Sequence, residues 1–140
     1  MARKDPFAHF NFLVDIDGTA AGFSEVTGLA SEVDVMTYRE GGDARLRQLP
    51  GLAKFPRVVL KRGFTADRAL WDWHRTALTG AVQRRNVRIT LVDSDRQPVA
   101  RWILTDAWPA KWQGPDLDAR SSGITIESVE LVHEGIELVE

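Results

Sequence analysis

Tyr38-Arg-Glu-Gly-Gly-Asp-Ala-Arg-Leu-Arg-Gln-Leu-Pro-Gly-Leu-Ala-Lys-Phe-Pro-Arg-Val-Val-Leu-Lys-Arg62 is the stretch on which the reading of this chain turns. On its near side Val33, Val35 and Thr37 alternate with Asp34, Met36 and Tyr38. On its far side Val58 and Leu60 alternate with Val59 and Lys61, and both patterns have the two-residue period of half-buried strands. Between them Gly41-Gly42 and Pro50-Gly51 read as turns, and Pro56 keeps Phe55 out of the helical region. The expectation is a long connection with no regular element of any length. Leu46, Leu49, Leu52 and Phe55 make it too apolar for a solvated linker, so something should cover those leucines.

Working outward, Phe10, Phe12, Val14 and Ile16 share one side of a strand, with His9, Asn11, Leu13 and Asp15 on the other. Asp17-Gly18 then supplies the positive-φ pair of a tight hairpin, and a second strand runs through Ala21, Phe23 and Val26 to Gly28. Beyond the central stretch, Thr65 is placed to cap a helix over residues 65–79, with Gly80 at its C′ position. Ala66, Ala69, Leu70, Trp73 and Ala77 form the apolar face of that helix, which should pack on a sheet. Trp71 and Leu78 flank that face.

Val87, Ile89 and Leu91 alternate as a strand, residues 93–98 form a polar turn, and residues 99–105 return as the partner. Residues 106–123, with Trp108-Pro109, Trp112 and Gly114-Pro115, read as a second long irregular connection. In the last strand Ile124 and Ile126 occupy one phase while Val129 and Leu131 occupy the other, which predicts a bulge at Glu127-Ser128. Hairpin-length turns and a single helix exclude a doubly wound parallel sheet, whose every crossover needs its own long connection. The fold class is mainly β, an antiparallel barrel or sandwich with one packed helix.

With 140 residues, 44% hydrophobic and 27% charged, the chain suits one domain spanning 1–140. It holds no cysteine, which excludes disulfides and thiolate metal sites. The net charge of −2 gives no general bias toward nucleic acid, and Arg57, Lys61, Arg62, Arg84 and Arg85 form only small basic clusters. No apolar run follows the first residues to serve as a signal peptide, and no window approaches membrane-spanning length. Five tryptophans are many for this length; core packing is the default reading for each.

Asp15-Ile-Asp-Gly-Thr19 is similar to the first motif of haloacid-dehalogenase-type phosphohydrolases, in which Asp15 would be nucleophile and Asp17 general acid. Such an enzyme also needs a magnesium-holding acidic pair, for which Asp116 and Asp118 are available, and a lysine such as Lys54, Lys61 or Lys111. None of these follows a recognisable parallel strand, and Asp-Gly is itself a common hairpin turn. His9, His74 and His133 lack metal-ligand spacing, and Asp93-Ser-Asp95 lacks the glycine and glutamate of a calcium loop. The expectation is therefore no catalytic residue, no cofactor and no metal. A monomeric binding module using Trp108 and Trp112 is a third possibility.

Asp5-Pro-Phe7, Phe10-Asn-Phe-Leu-Val-Asp-Ile-Asp-Gly18, Gly22-Phe-Ser-Glu-Val-Thr-Gly-Leu29, Tyr38-Arg-Glu-Gly-Gly-Asp43, Leu49-Pro-Gly-Leu52, Leu60-Lys-Arg-Gly63 and Leu70-Trp-Asp-Trp73 occur in this order. Together they resemble the tail-tube proteins of contractile phage tails and extracellular contractile injection systems, over nearly the whole chain. The resemblance implies a protomer related in fold to the haemolysin-coregulated protein. Six such protomers would form a ring, and rings would stack into a hollow inner tube. Its implied partners are further copies of itself, a contractile sheath protein, baseplate or spike-hub proteins, tube-terminating proteins and cargo in the lumen. It also implies cytoplasmic synthesis and assembly into a phage tail-like particle. Adaptor tube proteins near the baseplate share these motifs. The resemblance places the ring-to-ring role on residues 39–52, with Arg39, Glu40, Gly41, Gly42, Asp43, Leu46, Arg47, Leu49 and Leu52, and a subunit-contact role on the amino-terminal segment 5–10, with Asp5 and Phe7.

Overall fold

A computed structural model describes residues 11–42, 44–120 and 123–139. Its ten strands and single helix run in the order β1 (Asn11–Ile16), β2 (Thr19–Ala21), β3 (Glu25–Thr27), β4 (Glu32–Tyr38), β5 (Arg47–Lys54), β6 (Val58–Gly63), α1 (Ala69–Leu78), β7 (Arg85–Val92), β8 (Pro98–Gln113), β9 (Ile126–Val132) and β10 (Gly135–Leu138). Every pairing is antiparallel.

The opening hairpin follows from its turn chemistry. Asp17 and Gly18 adopt φ of 51° and 90°, and the Asp15 carboxylate accepts the Gly18 N–H at 2.7 Å, so Ile16 lies opposite Thr19. The expected second strand breaks in two: β2 pairs with β1, whereas β3 crosses to pair with β6. Gly28 follows at φ 90°, where a Cβ would come within 2.1 Å of the Arg57 carbonyl oxygen, so only glycine fits.

One long strand organises the sheets. β8 pairs with β7 and β10 along its first part and with β9 along its second, passing from one sheet to the other through irregularities at Asp106 (φ 51°) and between Pro109 and Lys111. The two sheets are thus β2-β1-β7-β8-β10 and β8-β9-β6-β3, a sandwich sharing one bent strand. Residues 106–113 are therefore strand rather than irregular connection. The proline sits beside the bulge, where a ladder can do without its N–H.

The rows that face inward are those that the alternation marks. Ile16 opposes Val87, Val14 opposes Ile89, Val87 opposes Leu104, Leu60 opposes Val129 and Val58 opposes Leu131, and all are buried. α1 packs against β8 and closes the core with Leu70 and Trp73, while the Trp73 indole donates to the Gln83 carbonyl at 2.7 Å. The helix starts later than expected. Thr65 accepts the Asp67 N–H and Asp67 the Ala69 N–H, so the residues before Ala69 form two side-chain-closed turns rather than helix, and Ala66 and Ala69 are exposed. Gly80 ends the helix at φ 81°, as its sequence position indicates.

The expected bulge in the last strand is absent: β9 pairs with β6 without a break from Ile126 to Leu131. Val129 and Leu131 stay inward, Ile124 and Ile126 turn outward, and the inward place before Val129 is taken by Glu127. Its burial depends on a partner that the alternation alone does not reveal.

Candidate assembly surfaces

The central stretch is not irregular. β4 and β5 form a two-stranded hairpin separate from both sheets, and every other element makes at most marginal contact with it. Pro50 and Gly51, which read as breakers, are accommodated because β5 has a free outer edge and because the register slips between Val33 and Val35. At that slip a Cβ on Gly51 would lie 3.1 Å from the Asp34 carbonyl oxygen, so glycine lets the two strands approach closely. Lys54 and Asp34 pair at 2.9 Å near the root, and Tyr38 donates to Glu40 at 3.3 Å near the tip.

Both faces of this arm are bare. Val33, Val35, Met36, Leu49 and Leu52 are 49%, 63%, 58%, 45% and 76% exposed, and Leu46, just before β5, is 64% exposed. An isolated two-stranded hairpin is at best marginally stable in water, and apolar side chains on both its faces make this arm a candidate contact surface. Arg39, Glu40, Gly41 and Gly42 lie between the strands, Arg47, Leu49 and Leu52 on β5. The structure thus brings these assigned residues together on one arm. Asp43, Asp5 and Phe7 lie outside the described residues, as does His9.

The arm is rooted at one end of the β6–β9 ladder, where Val58 faces Leu131, and Phe55 meets the His133 ring at 5.5 Å. Burial holds the His133 imidazole below its ordinary value of 6.5, against the raising effect of hydrogen bonds to the backbone of Gly135 and Pro56.

At the other end of the same ladder, where Gly63 faces Ile126, lies a charged network. The buried Arg62 guanidinium donates to Glu127 at 2.6 Å and to the Asp67 carboxylate and carbonyl at 3.3 and 3.1 Å. The second Glu127 oxygen accepts the Trp112 indole N–H at 3.0 Å, and the Phe23 ring lies 5.7 Å from the guanidinium. A buried carboxylate and guanidinium are tolerated because each is paired and further hydrogen-bonded. Above this pair Phe64, Asp67, Arg68, Trp71, Trp112 and Glu127 line an open notch of about 330 Å³. Trp71 and Trp112 meet edge to face at 5.0 Å as one wall, and Phe64 stays 44% exposed. Trp112 is therefore part of a packed pair rather than an irregular loop, and a signal for this site exists in Arg62, Phe64, Trp71 and Trp112 only once the β6–β9 register is known.

The residues of the phosphatase-like string are not gathered. Asp15 serves the hairpin turn beside Arg88, while Asp116 and Asp118 lie on the β8–β9 connection. Lys54, Lys61 and Lys111 pair with Asp34, Glu25 and Glu130. Among the described residues no three metal-binding side chains cluster, and no helix is long and apolar enough to cross a membrane.

Residues 8–137 match the family described as T4-like virus tail tube protein gp19. Among solved structures, the fold is similar to a chain of the anti-feeding prophage (AFP) baseplate, 6-fold symmetrised, with TM-score 0.86 and 28% identity over 98% of this chain and 97% of that one. A chain of the sheath/tube terminator, in the extended state, of the extracellular contractile injection system PVC gives TM-score 0.91 at 23% identity over 99% and 100%. Hcp1 from Flavobacterium johnsoniae gives 0.63 at 14% over 92% and 94%. No curated protein matches the chain in sequence.

Proposed function

The chain belongs to the T4-like virus tail tube protein gp19 family, and from that premise we propose that it is an inner-tube protomer whose six-membered rings stack through the β4–β5 arm into a hollow tube. The observation that carries this reading is the arm itself, apolar on both faces and, among the described elements, in at most marginal contact with its own body. Copies stacked head to tail would bury it. A leucine buried in this way contributes about 1.5–3 kcal/mol, and each ring-to-ring junction repeats the contact at every subunit.

Closure into a ring answers a second need. Among the described residues β2, β3 and β10 each pair on one side only, and joining such edges between neighbours removes the unpaired ladders. The work of the tube is mechanical: a contracting sheath drives it through an envelope while the protomer performs no chemistry and takes no cofactor. On this reading a sheath protein surrounds the tube, baseplate and terminating proteins hold its two ends, and the lumen carries cargo. The particle assembles in the cytoplasm before any release. Analytical ultracentrifugation and electron microscopy of the purified protein test it. Rings and stacked rings are expected, and a monomer that persists at high concentration refutes the proposal.

A further inference from the structure

The arm and the aromatic notch lie at opposite ends of the same two strands. The arm leaves the body beside Val58, and the notch sits beyond Gly63, at the far end of β6. Six residues of strand place the two ends about 20 Å apart. The arm also makes at most marginal contact with its own body, so it does not fill its own notch. A donor at one end and a recess at the other is the arrangement of a head-to-tail contact, in which each copy gives one surface and offers the other.

We infer that the notch lined by Phe64, Trp71 and Trp112 is the socket that receives the arm of the next stacked copy, with Leu46 or Leu49 entering between the rings. The inference rests on the stacking proposed above and names its counter-surface. Size and chemistry agree. About 330 Å³ is room for the apolar side chains of one short segment, and three aromatic walls offer them contact. The charges at the rim are mixed, with Arg68 beside an Asp67 already paired with Arg62, so the aromatic walls rather than charge suit it to the leucines. The floor is fixed, because the Trp112 indole is held by Glu127 and Glu127 by Arg62, so the recess is preformed.

The test uses complementary rings. Phe64→Glu places a charge in the socket at a half-exposed position and leaves the arm intact, whereas Leu49→Asp disables the arm and leaves the socket intact. Phe64→Ser is made beside Phe64→Glu so that a folded socket variant is in hand, with circular dichroism as the check. Each variant alone should give rings that do not stack. Mixed as preformed rings, they should give pairs of rings and nothing longer, because only one functional arm-socket junction is possible. Socket variants that form tubes as the wild type does overturn the socket while leaving arm-mediated stacking intact. A mixture without ring pairs also overturns it. If Leu49→Asp alone forms normal tubes, the stacking proposal itself fails and the socket fails with it.

Discussion

Replacing Glu127 by alanine removes the carboxylate that holds both Arg62 and Trp112. Arg62 is 7% exposed, so the substitution leaves a guanidinium in the interior with only the more exposed Asp67 as partner, at 3.3 Å. Breaking a buried pair from one side costs about 3–5 kcal/mol, because the remaining charge stays desolvated. Freeing the Trp112 indole N–H falls within the same figure, since the effects share a site and do not add. For a chain of this length that corresponds to a fall of about 10–20 °C in Tm. Thermal melts at one fixed protein concentration read it. The double variant Arg62→Met with Glu127→Leu should recover most of the loss, because apolar residues of similar volume replace a buried pair at little cost. A Glu127→Ala melt unchanged from wild type, or a double variant as unstable as the single one, refutes the reasoning.

Trp73 is 1% exposed and its indole N–H is satisfied by Gln83, so Trp73→Ala should cost about 3–5 kcal/mol; an unchanged melting transition contradicts its core assignment. Burial lowers the folded-state pKa of His133 from 6.5, so the unfolded chain takes up a proton first as pH falls. Stability should therefore decline as pH drops below about 6.5 and level off under the lowered folded value, and His133→Gln should lose that part of the pH dependence in melts. Asp15→Asn and Asp17→Asn should assemble as wild type, since both residues serve a turn, and magnesium-dependent phosphatase activity lost on Asp15→Asn would contradict this.

The sheets were legible where alternation was strict, as in β1, β6 and β7, because burial on one face alone enforces a two-residue period. Sequence reasoning missed β5 because Pro50 and Gly51 are breakers in a central strand. They are harmless in a free-edged hairpin with a register slip, and that context is tertiary. It missed the second part of β8 for the same reason, since Pro109 and the positive φ of Asp106 mark a corner between sheets rather than a loop. The bulge expected in β9 came from assuming that only apolar residues face inward. Glu127 takes an inward place because Arg62, sixty-five residues away, meets it there. The exposure of Leu46, Leu49 and Leu52 was legible, because turn residues on both sides hold them away from the core whether their backbone is strand or loop. The notch was not found, since its walls come from three separate segments.

The central claim is that the arm joins one ring to the next, and electron microscopy of Leu49→Asp beside a melting curve tests it most directly. Leu49 is 45% exposed on an arm that the other described elements touch at most marginally, so the charge should spare the fold and the melting transition while abolishing tubes. Normal tubes from Leu49→Asp, or a protomer that no longer folds, would contradict the account.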